Sequence, residues 1–210
     1  MKLRVACATL AFYMGPLFDH IAERHHGNES GFSRHYLTLY SIVLGMEAKN
    51  VLELGAGFST QTILEALKHT GGKLGTCDVR DLKDTGNPDE LHSMYASSWT
   101  YLQGDTRETL QTLPTETKFD VVLHDGSHEW RVVYKDLRKI LPRIKQNGIL
   151  LVHDTEHTPT YRLKMATRLA LIGYRHEIVT LPYGFGLTIV RILGNKKNGT
   201  ISLSWGKKKS

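Results

Sequence analysis

The chain is 210 residues long and carries 27 basic against 21 acidic side chains, a formal charge of +6. With 40% apolar side chains, 19 glycines and only six prolines, its composition is globular and excludes a disordered or collagen-like chain. No run of about 18 uncharged apolar residues occurs, which excludes a membrane-spanning helix, and the length favours one domain that buries a core without covalent staples.

Cysteines and chain ends bear on location and partners. Cys7 and Cys77 have no CxxC partner and form no disulfide framework, as expected in a reducing cytoplasm. Lys2 and Arg4 precede an apolar stretch from Val5 to Phe18. Tyr13, Gly15 and Pro16 interrupt it and no clear small-residue cleavage site follows, so a folded or membrane-brushing segment is expected rather than a signal peptide. Lys196, Lys197, Lys207, Lys208 and Lys209 form a basic tail. A solvated end is the plainer reading and a phosphate-seeking arm the sharper one; basic tails commonly lack a specific partner, which favours the first. The expected division is one domain over 1–210: an N-terminal helical cap segment at 1–48, a core at 49–193 and the tail at 194–210.

Beyond Met46 the pattern alternates between strand and helix. Asn50 to Leu54 is a short apolar run ending at Gly55, and Ile63, Leu64 and Leu67 then fall at helical spacing. Lys73–Cys77, Trp99–Gln103, Phe119–Leu123 and Ile149–Val152 read as four further strands, the last preceded by the turn pair Asn147-Gly148. Val132, Val133, Leu137, Ile140, Leu141 and Ile144 mark one helix face, and another helix is predicted from about Tyr161 to Ile172. His176–Leu181 and Gly186–Ile192, joined by Pro182-Tyr183-Gly184, read as an antiparallel hairpin at the sheet edge. The order implies an α/β fold, a mostly parallel, doubly wound Rossmann-like sheet with helices on both faces. Ligands in such sheets bind beyond the carboxyl ends of the strands.

Chemistry-bearing residues follow each strand. Gly55, Ala56 and Gly57 let the backbone turn tightly and approach a ligand, and Ser59 or Thr60 can cap a helix start that attracts anions. By itself this is also a plain strand-to-helix turn, and a nicotinamide fingerprint would want a third glycine near position 60, where Thr60 sits. Asp78 lies about 20 residues on, where an acid can accept both ribose hydroxyls. Gln103-Gly104-Asp105-Thr106 places short polar groups where an adenine would lie. The next two strands end in His124-Asp125-Gly126-Ser127-His128 and His153-Asp154-Thr155-Glu156-His157. Packing does not call for such polar clusters at the ends of buried strands.

Together these residues resemble the class I S-adenosylmethionine-dependent methyltransferases, in particular the group of macrocin-type sugar O-methyltransferases and proteins labelled cephalosporin hydroxylases. The resemblance runs over roughly residues 50 to 192. It rests on Val51 to Thr60, Asp78, Phe119 to His128, Lys135-Asp136-Leu137, Asn147-Gly148 and Val152 to Thr155. It implies a seven-stranded sheet with its last strand antiparallel. It also implies cofactor contacts from Glu53, Gly55, Ala56, Gly57, Ser59, Asp78, Asp105 and Asp125. Ser59 stands where many members have a third glycine, and Ser127 where many have an acid. Metal-dependent relatives hold a divalent ion at the positions of Asp125, His153 and Asp154. An imidazole in that set shifts preference from magnesium towards manganese, iron or zinc.

The activity this implies is methylation of a small-molecule hydroxyl, which needs a base or a metal ion to become nucleophilic. His128 and His153 are the candidates for base or ligand, with His124 and His157 behind them, although a strand-end histidine is usually structural. Ser33, His35 and Tyr36 are expected to line the acceptor pocket, and Trp130 to stack on the adenine or simply pack. Three rivals stand beside this reading. A non-catalytic cofactor-binding protein would have no need of the strand-end histidines. A nucleic-acid methyltransferase fits the charge, but Asp125-Gly126-Ser127-His128 replaces the N/D-P-P-aromatic motif. A nicotinamide dehydrogenase is weakened by Thr60 and the hairpin. The acceptor and the oligomeric state, including a homo-oligomer, are not written in the sequence.

Overall fold

The computed structural model describes residues 18–27, 31–87, 89–157 and 161–195. Its frame is a seven-stranded sheet of β1 (Asn50–Leu54), β2 (Lys73–Asp78), β3 (Trp99–Gln103), β4 (Phe119–His124), β5 (Ile144–His153), β6 (Tyr174–Leu181) and β7 (Leu187–Asn195). The strand order is β3-β2-β1-β4-β5-β7-β6. The pairings from β3 through β5 are parallel, and β7 runs antiparallel between β5 and β6. The order reverses between β1 and β4, which opens a crevice at the carboxyl ends of those strands.

Strand periodicity divides the core in two. Val51, Val121, Leu123 and Leu151 face one layer, and Leu52, Leu54, Val122, Leu150 and Val152 face the other. The first layer is covered by α1 (residues 18–27), α2 (Tyr36–Gly45) and α3 (Phe58–Thr70). In α2 the buried residues Tyr36, Leu39, Tyr40 and Val43 recur at i, i+3, i+4 and i+7, so one stripe meets the sheet. The second layer is covered by α5 (Thr106–Thr112), α6 (Trp130–Ile140) and α7 (Leu163–Ala170); the short α4 (Asp89–Met94) precedes β3. Each fully buried Leu or Val contributes roughly 1.5–3 kcal/mol, which makes these alternating strands the main support of the fold.

Several expected boundaries moved: the hairpin strands run Tyr174–Leu181 and Leu187–Asn195, and the helix after β4 ends at Ile140, so Ile144 lies on a strand and not on its face. β5 begins at Ile144 rather than Ile149, because Phe119 pairs Ile144 and the register then jumps to Val121 with Ile149. Asn147, at φ 66°, and Gly148 turn the chain within this irregularity, so the turn pair lies inside the strand instead of before it. The last helix spans only Leu163–Ala170, shorter than expected. Among the described residues, no helix is long and apolar enough to cross a membrane. The apolar stretch before Phe18 and the lysines of the tail lie outside the described residues.

Candidate active site

The end of β1 is stitched by backbone to both of its neighbours: Gly55 N–H donates to the Cys77 carbonyl of β2, and Asp125 N–H, just after β4, to the Leu54 carbonyl, at 2.9 and 2.8 Å. Gly55 has φ 92°, and a Cβ there would meet the Asp125 carbonyl oxygen at 2.4 Å. Only glycine fits. Gly57 takes the position before α3, and Thr60, inside the first turn, helps to cap the helix as its hydroxyl accepts the Gly57 N–H at 3.2 Å. The Ser59 and Thr60 hydroxyls also donate to the buried Glu53 carboxylate, at 2.6 and 2.7 Å, as does Thr76 at 2.9 Å. Burial pushes the Glu53 carboxyl up to about 7 against the pull of those three hydroxyls.

Two cavities open at the strand ends. The larger, about 620 Å³, includes Gly55, Asp78, Asp105 and Asp125 in its wall. Asp78 accepts the Ala56 N–H at 2.7 Å and is clasped by the Arg80 side chain through both oxygens. Burial opposes ionisation of Asp78, but the Arg80 guanidinium and the two backbone N–H groups outweigh it and hold the carboxyl below its usual range. Asp105 precedes α5 and is held the same way by Arg107, whose side-chain and backbone N–H groups draw the carboxyl down to about 2. Deeper in the same wall, His124 Nε2 lies 3.4 Å from Asp136 Oδ2, both residues buried.

The second cavity, about 490 Å³, is bounded by Ala56, Gly57 and Ser59 on one side and by the rings of Phe32, Tyr36, Phe58, Tyr161 and Phe185 on the other. Tyr161 stacks on both His128 and His157, at 4.9 and 4.5 Å between centroids. Arg80, Asp125 and His128 belong to both cavities, so they form the seam between them.

At that seam, one donor atom each from Asp125, His128 and Asp154 lie within 4.8 Å of one another. Asp154 adopts φ 57°, a left-handed conformation that Asp tolerates better than most residues, directly after β5. Its Oδ2 is 2.6 Å from His128 Nε2, on a half-exposed imidazole. His153 is placed differently from the expected ligand set. Its Nδ1 contacts Asp125 Oδ1 at 2.8 Å and its Nε2 the Gly184 carbonyl at 2.9 Å, so both nitrogens are engaged and neither is open to an ion. Burial lowers the affinity of this ring for its proton, yet the neighbouring Asp125 and Asp154 raise its pKa above the ordinary value. The imidazole that completes the carboxylate pair is thus His128, three residues beyond Asp125.

Of the residues expected to touch a cofactor, Gly55, Asp78 and Asp105 line the larger cavity, Ala56, Gly57 and Ser59 the smaller, and Asp125 both. Glu53 lines neither, since it is spent on the loop from below. Tyr36 reaches the smaller cavity, whereas Ser33 and His35 are buried outside its lining, with His35 Nε2 donating to the Tyr183 carbonyl. Trp130 packs against the second core layer and lines neither cavity. Arg80 and Phe185 were not anticipated. An Arg two residues after both Asp78 and Asp105 was a visible signal for Arg80, while nothing in the pattern placed a hairpin-turn Phe at the mouth.

Residues 52–155 match the family model described as a methyltransferase domain. No curated protein matches the sequence. Among solved structures, the chain is similar to the methyltransferase PaMTH1 of Podospora anserina, bound to S-adenosylhomocysteine, at 16% identity over 91% of this chain and 97% of that one, TM-score 0.63. It is equally similar to the O-methyltransferase TomG of Streptomyces achromogenes, involved in tomaymycin synthesis and bound to S-adenosylmethionine, at 14% identity over 88% and 95%, TM-score 0.63. The methyltransferase MycE of the mycinamycin pathway, solved with Mg and S-adenosylhomocysteine, aligns at 18% identity over 81% of this chain and 52% of its own, TM-score 0.56. The matched segment, from Leu52 to Thr155, carries the strand ends that build the crevice, so the chain carries a methyltransferase domain on the fold of the S-adenosylmethionine-dependent methyltransferases.

Proposed function

We propose that the enzyme methylates a hydroxyl group of a small molecule, with the cofactor in the larger cavity and along the glycine loop and the acceptor in the smaller one. The observation that carries this reading is the seam: the two cavities share Arg80, Asp125 and His128 as a common wall. S-adenosylmethionine, when bound, supplies a methyl group already activated on a sulfonium. Asp78 would accept the ribose hydroxyls, Gly55 to Gly57 would admit the cofactor's amino-acid end beside Ser59, and Asp105 would face the adenine side. Glu53 acts through Ser59 and Thr60, holding the first turn of α3 in place. The smaller cavity has the size and ring lining of a small-molecule pocket, which favours such an acceptor over a nucleic acid. We assign the whole chain, 1–210, to this one domain and place the protein in the cytoplasm.

The hydroxyl must lose its proton as the methyl group arrives, and Asp125, His128 and Asp154 are the groups positioned for that. Two carboxylates and one imidazole suit manganese, iron or zinc, and such an ion would lower the pKa of a hydroxyl bound to it. MycE, to which the chain is similar in fold, was solved with Mg, which lends support to the metal reading. His153 is then a positioning residue that fixes the Asp125 carboxylate. A second reading rests on the same 2.6 Å contact: without an ion, Asp154 orients His128 as a general base. Calorimetric titration of the metal-stripped enzyme with Mn²⁺, Mg²⁺ and Zn²⁺ separates them. Saturable binding that Asp154→Ala abolishes supports the metal reading; no binding of any of the three leaves His128 as the base.

A further inference from the structure

Of the three seam groups, His128 is the most exposed: its side chain is 51% accessible, against 23% for Asp125 and 8% for Asp154. It lies on the irregular loop between β4 and α6. A single polar contact in water, such as the one from His128 Nε2 to Asp154 Oδ2, does little by itself to hold a side chain in one geometry. The imidazole has a second support. It lies nearly parallel to the Tyr161 ring, at 12° with the centroids 4.9 Å apart, and Tyr161 in turn stacks on His157 at 14° and 4.5 Å. His157 meets the Phe185 ring at 4.3 Å, and its backbone N–H donates to the Asp154 carbonyl at 3.2 Å. These contacts close a circuit. Asp154 reaches His128 through its carboxylate, His128 reaches Tyr161 and Tyr161 reaches His157 through stacked rings, and His157 returns to Asp154 through the backbone. A ring held in such a circuit cannot turn without parting from a neighbour.

We infer that Tyr161 is a positioning residue for the seam: its aromatic face fixes the plane of the His128 imidazole and so keeps Nε2 on Asp154. The ring does this, not the phenol hydroxyl. The inference rests on the reading that His128 serves at the seam as metal ligand or base; in either role a turned imidazole takes its nitrogen away from the site.

The test titrates the metal-stripped enzyme with Mn²⁺ by calorimetry, as wild type, Tyr161→Phe and Tyr161→Leu, with S-adenosylhomocysteine as the control for folding. Tyr161→Leu is expected to weaken Mn²⁺ binding by about 10-fold, the scale of losing a group that orients a metal ligand. Tyr161→Phe is expected to match the wild type. S-adenosylhomocysteine should bind all three alike, since Tyr161 lines the smaller cavity and not the larger. Unchanged Mn²⁺ affinity in Tyr161→Leu overturns the inference, and an equal loss in Tyr161→Phe does so too, by moving the effect to the hydroxyl. If the wild type binds no Mn²⁺, the metal reading fails and a crystal structure of Tyr161→Leu decides: His128 turned away from Asp154 supports the inference, and His128 still on Asp154 overturns it. Should Tyr161→Leu lose S-adenosylhomocysteine binding, Tyr161→Ala, which removes the ring without adding a branched side chain, takes its place under the same outcomes.

Discussion

The two cavities are built on different principles. Around the larger one, two carboxylates come already paired: those at the ends of β2 and β3 are each clasped by an arginine two residues on, in Asp78-Val79-Arg80 and Asp105-Thr106-Arg107. Around the smaller one, the far wall is a set of rings drawn from distant parts of the chain, including Phe32 before α2, Phe58 on α3 and Phe185 in the hairpin turn. A wall of paired charges fixes a polar ligand in one orientation, whereas a wall of rings selects shape and tolerates variation. The difference teaches where each kind of specificity resides. On the proposed function, the larger cavity serves one cofactor and the smaller one an acceptor, with the proton chemistry confined to the seam.

This contrast can be broken by substitution. His128→Ala removes a seam group and should lower turnover by roughly 10²–10⁴-fold, with S-adenosylhomocysteine affinity, read by calorimetry, nearly unchanged. A matching loss of affinity would mean that the seam is part of the cofactor wall. Asp78→Ala should do the reverse, weakening S-adenosylhomocysteine by roughly 10²-fold through lost charged hydrogen bonds. Affinity left at the wild-type level would show that the ribose does not meet Asp78.

Glu53 sharpens the comparison from beneath. Its folded-state carboxyl titrates near 7, above the ordinary value, so its contribution to stability is present at low pH and lost as pH rises from about 4.5 through 7. Denaturant unfolding should find Glu53→Gln close to the wild type at pH 4 and more stable at pH 8, the gap approaching on the order of 2–3 kcal/mol. A gap independent of pH would contradict the buried, proton-binding carboxyl. The smallest effect belongs to Arg80→Met. Its pairing with Asp78 is partly exposed, so chemical denaturation should register a loss under about 1 kcal/mol.

The sequence alone exposed the sheet well, because strands buried on both faces and helices with one apolar stripe carry their periods openly. Asn50–Leu54 and Trp99–Gln103 appear in the structure with the expected bounds. The strand-end clusters were equally legible, since Asp78, Asp105, Asp125 and Asp154 each lie in or just after a recognisable strand. What could not be read was which of several neighbouring histidines turns inward. His153 lies at the end of β5 and points into the Asp125–Gly184 contacts, while His128 lies in an irregular loop whose direction no period encodes. The ring wall was hidden for a different reason. Phe32 and Phe185 reach the same cavity only through tertiary packing, where a Cβ on Gly31 would strike the Phe185 ring at 2.1 Å.

The central claim is that cofactor and acceptor face each other across Asp125, His128 and Asp154. A crystal structure of the enzyme grown with Mn²⁺ and S-adenosylhomocysteine, with anomalous diffraction collected at the manganese edge, tests it most directly. The account predicts the adenosyl group in the larger cavity, its sulfur at the seam, and an anomalous peak ligated by Asp125, His128 and Asp154. A peak elsewhere, or an adenosyl group lying among the rings of the smaller cavity, would contradict it.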